Sequence, residues 1–205
     1  MSQLKLTADG GGGTVAIKGP ASTTGNNAFE LTVPGTASGT ILTSNSSVGK
    51  ILQVVQTIKT DTFTTTGGST FTDVTGLTVT ITPSSNSNKI LIIPSISLAA
   101  RSGQRHGYRI VRGSTAIGVG DSAGSRDQYT QQEGNMQTDA GIHSHSFLFL
   151  DSPATTSATT YKIQVRTEAN SSSYNLVYIN RSHADADNNT YGRSASSITA
   201  LEVAA

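Results

Sequence analysis

The chain has 205 residues, of which 35% are hydrophobic, 5% aromatic and 13% charged, with a net charge of +1 and neither cysteine nor tryptophan. The absent cysteine excludes disulfides and thiolate metal sites, and the near-zero charge excludes both the basic footprint of a nucleic-acid binder and the high net charge of a disordered chain. No run approaches the roughly 20 apolar residues that cross a bilayer, and residues 1–6 lack the apolar core of a signal peptide. The expected setting is therefore the cytoplasm until lysis or assembly into a particle, with no nucleic acid and no membrane insertion.

Residues 1–50 read as an extended arm. They run through Gly10-Gly11-Gly12-Gly13, then Pro20-Ala21-Ser22-Thr23-Thr24-Gly25 and Pro34-Gly35-Thr36-Ala37-Ser38-Gly39. Apolar residues come in short alternating groups between these runs, and glycines carry high chain entropy, so the arm cannot build a core of its own. A weak repeat matches Val15, Ile17, Pro20 and Gly25 to Phe29, Leu31, Pro34 and Gly39 at an offset of 14. Two copies are too few for a solenoid. They would suffice if three chains wrapped together, the alternative being a flexible linker.

From residue 51 onward the text is that of a β-domain, since abundant Thr and Val at low charge suit strands that present hydroxyls to water. Ile51, Val54 and Val55 lead into 57–61, and Phe63-Thr64-Thr65-Thr66 precedes a Gly67-Gly68 turn. Leu77, Val79 and Ile81 alternate with Thr78, Thr80 and Thr82, the half-buried strand pattern. Lys89-Ile90-Leu91-Ile92-Ile93 is apolar on both faces, which places it inside a sandwich or at a subunit contact. Further strands are expected at 95–100, 107–119, 143–150, 160–168, 174–180 and 196–204, with one long polar segment at 121–141. Almost no helix is expected, because no stretch shows a capped 3.6-residue period. The fold class is all-β: the arm, then a β-sandwich head over 51–205, jelly-roll-like.

Three patterns carry chemistry. Gly120-Asp121-Ser122-Ala123-Gly124 matches the G-x-S-x-G nucleophile elbow, but no amphipathic helix follows and His106 is the one histidine upstream. The chain is accordingly read as no enzyme. His143-Ser144-His145 puts two imidazoles on one strand face. On a three-fold axis, six such rings would hold a divalent transition metal, whereas the plainer reading is two half-exposed histidines beside a loop, with no cofactor. Asp185-Ala186-Asp187-Asn188-Asn189 opens like a Ca²⁺ loop but has Thr190 where the EF-hand needs glycine, which favours a solvated turn.

Ser47-Val48-Gly49-Lys50-Ile51-Leu52-Gln53-Val54-Val55-Gln56-Thr57, Tyr178-Ile179-Asn180-Arg181-Ser182 and the ending Ser196-Ser197-Ile198-Thr199-Ala200-Leu201-Glu202-Val203-Ala204 together resemble tail-fibre and virion structural proteins of marine tailed phages, cyanophages in particular. The resemblance implies a homotrimer whose arm, residues 1–50, attaches to other virion proteins. The resulting expectation is a virion component assembled in the host cytoplasm, a short trimeric fibre or fibre head with a host-recognition role. Loop residues Tyr129, Asn135, Tyr174 and Asn175 are the candidate contacts to a surface glycan. The alternatives are a capsid decoration protein whose arm clamps capsomers and a trimeric glycan-binding lectin.

Overall fold

Where the sequence alternates, strands form, and two proline- and turn-rich breaks decide how they stack. The computed structural model describes residues 50–65, 70–167 and 176–205, all within the unit Ser47–Ala205. Among these residues there are twelve strands and no helix: β1 (Ile51–Lys59), β2 (Phe63–Thr64), β3 (Thr72–Ile81), β4 (Lys89–Ala100), β5 (His106–Arg112), β6 (Thr115–Ile117), β7 (Gln131–Glu133), β8 (His143–Ser146), β9 (Phe149–Asp151), β10 (Thr159–Thr167), β11 (Val177–Ile179) and β12 (Ser196–Val203).

The strands make two antiparallel sheets. In the first, the order is β1-β12-β4, with β8 and β9 on the far edge of β4 and with β11 and β2 continuing the β12 side. The edges follow from register. Ser95 of β4 meets Ser197 of β12 on one side and Ser146 of β8 on the other, and Leu98 meets Ile179 and His143 likewise. In the second, the order is β3-β10-β5, with β6 and β7 sharing the outer edge of β5. Taking β1 with β2, β6 with β7, β8 with β9 and β11 with β12 as interrupted strands leaves eight, in chain order β1/2, β3, β4, β5, β6/7, β8/9, β10 and β11/12. The first sheet then reads 1-8-3-6 and the second 2-7-4-5. That is the winding of a jelly roll, two Greek keys closed into a sandwich.

The core lies between the sheets. Leu77, Val79 and Ile81 of β3 pack with Ile90, Ile92, Ile96 and Leu98 of β4, Tyr108 and Ile110 of β5 and Tyr161, Ile163 and Val165 of β10. Val74 and Leu77 both point inward although three residues apart, because a bulge holds Gly76 at φ 82, a conformation that glycine takes without steric cost. Asp151 of β9 reaches across to the other sheet, accepting from Arg112 Nη1 at 2.8 Å and from the Tyr161 hydroxyl at 2.7 Å. Burial, then this carboxylate, raises the Tyr161 pKa far above its ordinary value.

Several boundaries differ from the expectation. The run 107–119 is two strands, since Gly113 turns the chain at φ 59. Residues 89–93 and 95–100 are one strand that continues through Pro94. The run 143–150 is interrupted at Phe147 and Leu148, which stand opposite Pro94 and Ile93. Proline offers no N–H to a ladder, so the pairing lapses where the donor is missing.

Candidate functional site: an apolar outer face and a histidine–carboxylate cluster

β4 is apolar on both faces, and its two faces have different fates. Ile90 and Ile92 are fully buried, while Leu91 and Ile93 lie on the outer face of the first sheet. Register extends Leu91 into a row, because it pairs with Leu201 of β12, which pairs with Val54 of β1, and on its other side with Leu150 of β9. Directly opposed residues share a sheet face, so Val54, Leu201, Leu91 and Leu150 cross all four strands as one apolar line. Val54 is 59% exposed, Leu150 50% and the neighbouring Leu148 64%. Ile58 and Ile51 widen the patch along β1.

The second cluster sits between the sheets on the side closed by β7 and β8. His106 of β5 is directly opposite Glu133 of β7, and it shares a face with the core residues Tyr108 and Ile110. His143 and His145 oppose the fully buried Leu98 and Ile96, so both rings enter the same inter-sheet space. The Glu133 carboxylate joins them: one oxygen contacts His143 Nδ1, and the other lies 3.0 Å from His145 Nε2 and 3.5 Å from His106 Nε2. One ligand-type atom from each of His106, Glu133 and His145 lies within 4.8 Å of the others. Close approach of β7 to β5 depends on Gly107, where a Cβ would come within 2.5 Å of the Gln131 carbonyl oxygen and 2.7 Å of the Tyr129 ring.

His106 is the innermost member. It is fully buried, and neither ring nitrogen makes a hydrogen bond with the described residues. Burial lowers its pKa to about 4 against the opposing pull of Glu133 and a weaker one from the Gln104 backbone, with His145 and His143 adding to the fall. The ring is therefore neutral at neutral pH, with a lone pair on one nitrogen.

Of the other expected contacts, Tyr129 and Asn135 lie on the segment between β6 and β8, with Asn135 exposed. Tyr174 and Asn175 fall outside the described residues. Tyr129 lines an open cleft of about 540 Å³ with Arg105, Arg126, Arg166 and Asp127. Its ring meets Phe71 at 5.0 Å, tilted by 57°, and Phe71 lies under the Arg109 guanidinium at 3.8 Å. Asp127 pairs with Arg166 on the wall of this cleft. Gly120–Gly124 is irregular chain between β6 and β7 with no helix after it among the described residues, and the Asp185 carboxylate pairs with Arg181 and Arg193 at a cleft it lines with Asp187 and Asn188.

Sequence reasoning missed His106 and Glu133. The parity of His106 with Tyr108 and Ile110 was a usable signal, since residues two apart share a face. Glu133 gave none, because Gln131-Gln132-Glu133 has no apolar alternation.

No protein-family model matches the chain. No curated protein matches it either. Among solved structures, it is similar to a chain of infectious bursal disease virus, Gx strain, at a TM-score of 0.40 and 14% identity over 75% of this chain and 37% of that one. It is also similar to a chain of T=1 particles derived from infectious bursal virus, at a TM-score of 0.42 and 12% identity over 85% and 41%. The chain spans about two fifths of the length of these viral chains. Similarity at this level says nothing of function, which rests on the residues themselves.

Proposed function

We propose that this chain is a structural component of a tailed-phage virion, a short trimeric fibre or fibre head that associates through the outer face of its first sheet. The observation that carries the reading is the row Val54, Leu201, Leu91 and Leu150, reinforced by the exposed Leu148 and Ile58. A continuous apolar line across a whole sheet is a contact surface rather than scattered surface hydrophobicity. Removing each half-exposed side chain from water contributes about 1 kcal/mol on association. Sister chains are the simplest occupant, and the arm, residues 1–50, attaches the assembly to other virion proteins.

Host recognition belongs to the cleft of Arg105, Arg126, Arg166 and Tyr129. Guanidinium groups beside an aromatic ring suit an acidic surface glycan, whose carboxylates pair with the arginines while a sugar face packs on the tyrosine.

The deciding experiment is the solution mass by light scattering of the full-length chain and of one lacking residues 1–50. A trimer in both supports association through the head. A monomeric full-length chain overturns the intrinsic trimer and favours a decoration protein that associates only on a particle. Loss of the protein then separates the two roles: a fibre fails to adsorb with intact heads, and a decoration protein leaves adsorbing but heat-labile particles.

A further inference from the structure

Independently of the virion reading, we propose that His106, Glu133 and His145 bind one divalent transition metal ion within a single chain, Zn²⁺ being the probe of choice. Three strands from two sheets deliver one donor each: β5 gives an imidazole, β7 a carboxylate and β8 a second imidazole. Their convergence is fixed by register rather than by a mobile loop, since His106 is the ladder partner of Glu133 and His145 is that of Ile96.

The second observation is the state of His106. A fully buried imidazole with no well-formed hydrogen bond is costly, and the polar neighbours of His106, the Glu133 carboxylate at 3.5 Å and the Gln104 backbone, replace water incompletely. An ion between the three donors supplies the missing partner. The 3.5 Å between His106 Nε2 and a Glu133 oxygen is a short closure away from the separation of two ligands on one small cation. Two nitrogens and one oxygen select Zn²⁺ or a neighbouring first-row ion over Mg²⁺ and Ca²⁺, which take oxygen ligands.

His143 has a different part. It contacts the second Glu133 oxygen, on the more exposed side of the cluster, and so orients the carboxylate. Partners of this kind hold a ligand in place without touching the ion. Three protein ligands leave a further coordination position for water, as in open zinc sites.

The test uses the full-length chain without a histidine tag, stripped with a chelator, dialysed against ZnCl₂ and assayed for bound metal, with Zn²⁺ affinity from calorimetry. One zinc per chain is expected. Glu133→Gln and His145→Ala should each weaken binding by more than ~100-fold, and His143→Ala by about 10-fold. His183→Ala, which alters a ring beside Asp139 instead, should leave it unchanged. Far-UV circular dichroism checks that each variant folds. X-ray absorption of the wild-type zinc form gives a readout free of substitutions, and two imidazoles with oxygen are expected. Absence of bound zinc, equal uptake by Glu133→Gln and His145→Ala, or a spectrum without imidazole would overturn the site. One ion per three chains would also overturn it, because that ratio belongs to a shared three-fold axis.

Discussion

The two sheets turn very different faces to the outside. On the second sheet the outer side chains satisfy one another: Thr80 and Thr160 hydroxyls bond at 2.9 Å, Lys162 reaches Asp73 at 2.7 Å, and Gln164 bridges Asp73 and Arg109 at 2.6 and 2.8 Å. On the first sheet the central row is aliphatic, and polar contacts such as Gln56–Thr199 at 2.8 Å and Lys89–Ser152 at 2.7 Å lie beside the Val54–Leu150 line. Both faces alternate properly with the core, so patterning for folding is equal in the two. What differs is the outward half of the alternation, which folding does not constrain. An apolar choice there reflects a need beyond the stability of one chain.

That comparison can be broken most directly by charging the apolar line. Val54→Lys with Leu150→Lys should turn the proposed trimer into monomers by light scattering while leaving far-UV circular dichroism unchanged. Thr78→Lys with Thr160→Lys on the second sheet should leave the mass alone. Equal loss of mass from both pairs would erase the distinction between the faces.

Stability should respond in proportion to how each polar group is enclosed. Asp151→Ala removes the carboxylate that clasps Arg112 and Tyr161 across the sandwich, and it should cost about 3 kcal/mol in urea unfolding. Glu202 is buried at the end of β12, where Asn88 Nδ2 donates at 2.7 Å and the Ser84 amide at 2.6 Å. Burial alone would raise its pKa, but these donors outweigh it and the net shift is downward. Its contribution is thus complete above the unfolded carboxylate value and fades as pH falls through the lower folded one. Glu202→Gln should cost about 2 kcal/mol at neutral pH and flatten the acid limb of the stability curve. Asp73→Ala, on the exposed polar ladder, should change stability by about 0.5 kcal/mol or less.

The fold was legible because its signal is local. Parity along 77–81, 160–168 and 196–204 identifies the buried faces, and the doubly apolar 89–93 pointed to a sandwich interior or a subunit contact. Long-range features were not. The lapse at Phe147 and Leu148 depends on Pro94 in another strand, and β7 is polar throughout, so only its partner β5 makes it a strand. The candidate cluster divides the same way. His143 and His145 declare themselves by spacing, whereas Glu133 becomes a neighbour only once the sandwich closes. Asn180 is another case: it is fully buried at φ 63, donating to the carbonyls of Lys59 and Asp61 and accepting from Ser196. A polar residue of this kind reads as surface until its partners are known.

The interruption between β8 and β9 reaches beyond the molecule that contains it. A sheet grows without limit only if both of its margins accept a new strand, each addition exposing the next template. Here one margin is broken into two stubs of four and three residues, while the other is the unbroken nine residues of β1. Within this first sheet, edge-to-edge joining can use β1 once, and the product then presents only the interrupted margins for further growth of that sheet.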